Sequence, residues 1–547
     1  MSQIKKNSNH PLRNINISEG IASTLNSHSQ IFDLVDMAIA FHQNGMLEEA
    51  GLIYEKILIK DPGHTDAMNL LGLIALQKKE YPHAIELINK AILASPHNNV
   101  PEFHANLGHA LHQEGLLDES IASFDLAISL SPNIALYFAK RGIAQLEKKY
   151  LDTAINSFNQ AIRLNPQDSK SFYYRGIAQL EKKYFEAAIN SFDQAVNLNG
   201  DFAEAFNNRG LAQVEQKNFD EAINSFDQAI KLRPDYSDAL WNKGLVLLKL
   251  GNFEEGWPLY ESRLIGSPSF PPVRPEIKNV LINVNELANK SVLLLSEQGV
   301  GDTILFYRYV KKISNPNTRV TVAVQNNLVD LLAQSKPLWN IVNISGALPA
   351  CDYSYSLLSL PFLLREKFID IHAENPYVFS DPMKVSEWKS RLGPKQKPRI
   401  GLAWSGNVLF KGNAKRSIPL LQVISFLPSD LQYVSLQKEL SHFDLKVLER
   451  NAFISNYAGS LIDFNETAAL IDCLDLVITV DTSIAHLAGA MGKRAWLLLS
   501  DNADWRWLVN TESSPWYPTI KIFRQDKSGG WSNVLKKVEL ELIAQFR

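Results

Sequence analysis

Residues 474–492 read L-D-L-V-I-T-V-D-T-S-I-A-H-L-A-G-A-M-G. The apolar run Leu474 to Val480 delivers the polar Asp481-Thr482-Ser483 into a small-residue segment carrying His486, the pattern of a buried strand handing over to a helix. In open α/β sheets, ligands sit beyond the carboxyl ends of strands, where helix-start N–H groups and the helix dipole favour phosphate. Thr482 and Ser483 add hydroxyl donors. This corner suits a nucleotide diphosphate. The G-x-G-x-x-G fingerprint of a dinucleotide fold is absent, and Asp481 argues against a purely anion-binding role.

The same alternation extends upstream. Ser291–Leu295 predicts a buried strand, followed by a helix from about Asp302 to Lys312 and a strand at Arg319–Val324. A polar, proline-bearing stretch at about 375–397 separates a second unit, with strands at Arg399–Trp404, Tyr433–Leu436, Leu474–Val480 and Ala495–Leu499. Alternating strands and helices imply parallel sheets covered on both faces, and two such units in tandem predict a cleft between them.

Two further constellations face that expected cleft. In Glu297-Gln298-Gly299-Val300-Gly301-Asp302-Thr303, Gly299 and Gly301 let the backbone approach a ligand, and Asp302 either caps a helix or projects as a general base. In Ala403-Trp404-Ser405-Gly406-Asn407, a strand end opens into a glycine turn and then the cations Lys411, Lys415 and Arg416. Arginine offers a diphosphate a planar fork and lysine a point charge, so all three compete for it; a solvated basic loop is the alternative. His486 is either a packed core histidine or a ligand contact.

The first half of the chain is an array. Gly108, Gly142, Gly176, Gly210 and Gly244 recur 34 residues apart, in step with Phe124, Phe158, Phe192 and Phe226 and with Ala127, Ala161, Ala195 and Ala229. This period predicts stacked helical hairpins and resembles the tetratricopeptide repeat family, seven repeats fitting between about residues 31 and 265. The pairs Asn156-Ser157, Asn190-Ser191 and Asn224-Ser225 form either a polar ladder for an extended peptide or a solvated face. Trp241, Trp257 and Tyr260 either dock on the following domain or fill the last repeat.

The chain has 547 residues, 46% apolar and 21% charged, with a formal net charge of −3. That supports a mostly globular protein of several domains and gives no basic field for nucleic acid. Cys351 and Cys473 are isolated, against zinc motifs and disulfides, and are expected to be buried. No apolar run approaches the roughly 18 residues of a membrane span, so a cytoplasmic location is expected. The aromatic tail, Trp505-Arg506-Trp507 through Trp516-Tyr517-Pro518 to Trp531, lines the cleft or caps the sheet.

The three cleft segments together resemble glycosyltransferase family 9, the bacterial heptosyltransferases, in the form fused to tetratricopeptide repeats. The resemblance implies an all-α tetratricopeptide solenoid followed by an α/β GT-B fold of two Rossmann-like domains. Residues 1–28 are then a disordered N-terminus, 29–265 the solenoid and 266–289 a linker. An acceptor domain follows at 290–385 and a donor domain at 386–547. It further implies inverting transfer of a hexosyl or heptosyl group from a nucleotide-diphosphate sugar, without cofactor or metal. Asp302 would be the base, and Asp481, Thr482, Ser483 and His486 would hold the donor's diphosphate and sugar. Gly299, Gly301, Ser405, Gly406 and Asn407 would line the cleft. The repeats suggest a protein or peptide acceptor, an architecture similar to the O-linked N-acetylglucosamine transferases. A scaffold that has lost catalysis, or a transferase for a cell-surface glycan, is the alternative.

Overall fold

The computed structural model describes residues 28–96, 99–265, 287–314, 317–335, 337–371, 376–407, 412–526 and 530–546. The expectations for the N-terminus, up to residue 27, and for the linker, up to residue 286, therefore lie outside the described residues, as does Lys411. The chain divides into two compact units, Met1–Ala212 and Gln213–Arg547.

Fourteen helices, from His28–Gln43 to Phe253–Tyr260, pair into antiparallel hairpins. The recurring glycines face the second helix of their own hairpin: a Cβ on Gly142 would lie 2.7 Å from Phe158, and one on Gly176 2.6 Å from Phe192. Small residue against large ring is what lets the two helices close. The Asn-Ser pairs split. Ser157 is buried and donates to Gln145 Oε1 at 2.7 Å, and Ser191 does the same to Gln179, while Asn156 and Asn190 are exposed. The serines are therefore internal struts and present no hydroxyl ladder to a peptide.

The second unit begins within the repeats. Beyond them, β1 (Ser291–Leu295), β2 (Arg319–Val324), β3 (Asn340–Asn343) and β4 (Tyr353–Ser356) form a parallel sheet in the order β3-β2-β1-β4. A second parallel sheet follows, built from β5 (Arg399–Ala403), β6 (Gln432–Ser435), β7 (Ile454–Asn456), β8 (Leu476–Val480), β9 (Ala495–Leu499) and β10 (Ile520–Arg524). Its order is β10-β9-β8-β5-β6-β7. β5, β8 and β9 are buried along their whole length, as strands covered on both faces must be. Both sheets reverse direction at their first strand, between β1 and β4 and between β5 and β8. Such switch points open a crevice at the strands' carboxyl ends.

Some elements differ from the sequence reading. The helix expected from Asp302 to Lys312 begins at Val300 and breaks into Val300–Tyr307 and Val310–Ile313. The polar stretch 375–397 holds the helix Pro382–Leu392, capped by Asp381, which buries Val385, Trp388 and Leu392. This helix crosses the expected boundary at 385/386. It packs on the second sheet's helix Phe464–Asp472, Trp388 donating to Glu466 at 2.8 Å. Cys351 and Cys473 are half-buried, neither fully inside.

Trp257 and Tyr260, 2% and 1% exposed, leave the last repeat for the α/β core. The Trp257 ring meets Trp505 edge-on at 5.5 Å and Phe306 at 6.2 Å. Trp241 belongs to the same core and stacks on Tyr260 at 4.7 Å, so docking and filling occur together.

Candidate functional site

The carboxyl ends of β1, β5 and β8 open onto one cavity of about 750 Å³ in the second unit. Gly299, Gly301 and Asp302 line it from the loop and helix start after β1. Ser405, Gly406, Asn407 and Arg416 line it after β5, and Asp481, Thr482, Ser483 and His486 after β8. Three segments separated by up to about 180 residues of chain thus converge. Lys415 is not among the lining residues; it lies 3.7 Å from Glu215 at the end of a repeat helix.

Asp302 combines a helix-start contact with a place on the cavity lining. At the third position of helix Val300–Tyr307 its Oδ2 accepts from the Gly299 N–H at 2.9 Å, satisfying an orphan donor of the helix start, and the carboxylate still faces the cavity. Its Oδ1 pairs with Arg506. Burial pushes the Asp302 carboxyl above the usual range, against the pull of Arg506 and of the Gly299 N–H. The residue before this turn, Gln298, holds a left-handed φ of 58°, unusual without glycine. Its amide reaches the Tyr260 hydroxyl at 3.3 Å. Arg263, 4% exposed, donates to Glu297 at 2.7 Å. The end of the last repeat thus holds the loop that leads into Asp302.

On the opposite side Thr482 caps helix Ser483–Ala490, its hydroxyl accepting from the Ile484 N–H at 3.2 Å, which leaves the helix start directed at the cavity. Gly406 carries its backbone close to the cation: a Cβ there would lie 2.6 Å from an Arg416 nitrogen. Asp481 accepts from Trp507 Nε1 at 2.9 Å. Burial pushes it up to about 6, Asp504 adding to the rise. His486 is both a core histidine and a cavity residue. Its ring stacks on Trp507 at 5.1 Å, its Nδ1 lies 3.1 Å from the Tyr517 hydroxyl, and burial followed by Arg506 holds it down to about 3, neutral at ordinary pH.

Sequence reasoning named Arg506 only as part of the aromatic tail and left out Asp504; both line the cavity. The aromatic tail does both things weighed for it: Trp505, Trp507, Trp516 and Tyr517 are buried in the core while Asp504 and Arg506 between them line the cleft. A polar pair inside an aromatic run, D-W-R-W, is the signal that was available. Among the described residues, no group of three or more His, Cys, Asp or Glu gathers to hold a metal.

A tetratricopeptide repeat profile matches residues 35–99, 140–205 and 207–268, and a second one 101–134. The profile of glycosyltransferase family 9 (heptosyltransferase) matches residues 446–516, which takes in Asp481, Thr482, Ser483, His486 and Arg506. Protein FlbA of Caulobacter vibrioides is similar at 26% identity over 317 residues, 52% of this chain and 52% of that protein. The chain therefore spans about half the length of this curated relative. Among solved structures, the C-terminal part of a TPR repeat-containing protein from Cytophaga hutchinsonii covers 43% of this chain and 96% of its own, at 17% identity and a TM-score of 0.38. YrrB, described as a TPR protein with an unusual peptide-binding site, covers 35% of this chain and 98% of its own, at 18% identity and a TM-score of 0.32. The chain carries tetratricopeptide repeats in its N-terminal region and a glycosyltransferase family 9 (heptosyltransferase) domain in its C-terminal region.

Proposed function

We propose that this glycosyltransferase moves a hexosyl or heptosyl group, with inversion and without metal or cofactor, from a nucleoside-diphosphate sugar to a hydroxyl of a protein or peptide recruited by the repeats, in the cytoplasm. One observation carries the reading: a single cavity places a carboxylate, Asp302, on one sheet's switch loop and a helix start with Arg416 on the other's. The acceptor hydroxyl gives its proton to Asp302 as its oxygen bonds to the anomeric carbon. The bond from that carbon to the diphosphate breaks on the opposite face, and its electron pair leaves with the nucleoside diphosphate. Charge growing on the leaving group is met by the N–H groups of helix Ser483–Ala490, by Ser483 and by Arg416, fixed before the reaction begins. Asp481 and His486 take the sugar side. Lys415, paired with Glu215 away from the cavity lining, takes no part in this step.

The test is nucleoside diphosphate release from a panel of UDP-, GDP-, ADP- and dTDP-sugars, with water or added extract protein as acceptor. Asp302→Asn is expected to lower the rate at least about 100-fold, the span of general-base catalysis, while nucleoside diphosphate affinity measured by calorimetry is kept. An unchanged rate rejects Asp302 as the base, and binding of no member of the panel favours a scaffold.

A further inference from the structure

We infer that Arg506 is a positioning residue for Asp302: a guanidinium anchored after β9 that reaches across the cavity floor and fixes the carboxylate for proton abstraction. This rests on the reading of Asp302 as the base. Arg506 Nη2 pairs with Asp302 Oδ1, and Nη1 meets Asp504 Oδ1 at 2.7 Å. That same Asp504 oxygen accepts the Arg506 backbone N–H at 3.0 Å. The guanidinium lies 4.5 Å over the Trp505 ring, and the Arg506 carbonyl accepts from Trp516 Nε1 at 2.7 Å. Backbone, ring and carboxylate thus hold the arginine before it touches Asp302. A planar fork can span two carboxylates on different loops; a lysine ammonium is a single point and cannot hold both in one geometry.

Asp302 is then gripped from two sides, Arg506 on Oδ1 and the Gly299 N–H on Oδ2. Each carboxylate oxygen has two lone-pair directions, so each keeps one for an acceptor hydroxyl. The pair lies in the cavity wall, and Arg506 Nε has no hydrogen-bond partner among the described residues. Asp302 is faced by Arg506 and Asp504 from the loop after β9, by Glu297 from the loop after β1, and by Tyr260 from the last repeat. His486 packs against the adjacent Gly301. Arg506 draws the Asp302 carboxyl down, whereas Asp504 and Glu297 push it up.

The experiment uses the full chain and the nucleotide sugar that gives the largest Asp302→Asn effect. Arg506→Gln is expected to keep nucleoside diphosphate affinity and to lose about 100-fold in kcat, the cost of a misplaced group of about 1 Å. The acid limb of its kcat/KM profile should move up by about one pH unit or more, since the cation that stabilised the charged base is gone. Arg506→Lys keeps a charge without the fork, so kcat falls with the limb near its wild-type place. Wild-type kcat in Arg506→Lys, or an unmoved limb in Arg506→Gln, overturns the inference. If melting curves show that neither variant folds, Asp504→Ala decides: it frees Arg506 from its anchor, so kcat should fall with nucleoside diphosphate affinity kept, and wild-type kcat overturns the inference. Equal rates for wild type and Asp302→Asn remove the base itself, a failure recognisable before Arg506 is touched.

Discussion

His486 shows how one buried side chain sets a pH dependence. Its ring is 5% exposed, held between Trp507 and the Tyr517 hydroxyl, and its pKa is pushed to about 3 by burial. The unfolded chain takes up a proton on this residue below about pH 6.5, whereas the native state refuses it down to about 3. Stability from this residue is therefore full above 6.5 and is lost as pH falls through that window. Asp481 has the opposite sign: pushed up to about 6, it holds a native proton that the unfolded chain has released, so its contribution falls as pH rises from 3.8 to about 6. The two tilts oppose each other in the wild type. Substituting His486→Gln isolates one of them. Between pH 7 and pH 5 the variant should gain about 2 kcal/mol relative to wild type, measured as the change in unfolding free energy from urea titrations at each pH. Parallel curves for the two proteins would place the acid sensitivity elsewhere.

Helix Val300–Tyr307 meets helix Ser483–Ala490 closely. A Cβ on Gly301 would lie 2.7 Å from His486 Cδ2, and that ring is wedged by Trp507 and has no room to retreat. Gly301→Ala should cost about 1–3 kcal/mol of stability by overpacking and should reduce turnover, because the helix carrying Asp302 must shift. Differential scanning calorimetry of the full chain reads the first effect and the release assay the second; an unshifted melting transition would show that the contact relaxes. Most of these elements were legible. The buried strands β1, β2, β5, β8 and β9 announced themselves as apolar runs, and the hairpins by their period. What escaped had weak local signals. β3 reads N-I-V-N and β4 Y-S-Y-S, short and polar at the two edges of their sheet, and they pair because β2 and β1 present open edges. The hairpin turns hide a left-handed residue behind lysine: φ is 64° at Lys79, 63° at Lys149 and Lys183 and 65° at Lys217. Gly45, Gly115 and Gly251 hold the corresponding turns. Arg506 escaped for a different reason, since its role depends on Asp302, 204 residues away and on the other sheet's loop.

At the scale of the molecule, the last repeat belongs to the α/β core as much as to the array. The core that contains Val292, Ile304 and Phe306 also contains Trp241, Leu248, Phe253, Trp257 and Tyr260. Polar ties follow the same route. Lys217 pairs with Asp501, and Lys249, lowered to about 8 by burial, donates to Asn502 at 2.5 Å, so a repeat turn and a repeat helix hold the loop that presents Asp504 and Arg506. Arg263 and Tyr260 hold Glu297 and Gln298 on the other side of the same cavity. A cut at the proline-rich linker would strip five large apolar side chains from one core and leave Glu297 without its buried partner. Each large side chain contributes about 1.5–3 kcal/mol on burial, and the sum is comparable to the 5–15 kcal/mol that typically separates folded from unfolded. Residues 266–547 are accordingly expected to be aggregated or unfolded. Residues 213–547 keep the whole core and should give a cooperative melt and bind nucleoside diphosphate. Circular dichroism melts, gel filtration and calorimetry on the two fragments make the comparison. If 266–547 folded and bound as well as 213–547, the repeat would be a passive neighbour; if it does not, whatever the array binds is coupled through Trp257, Tyr260 and Lys249 to the two loops that hold Asp302 and Arg506.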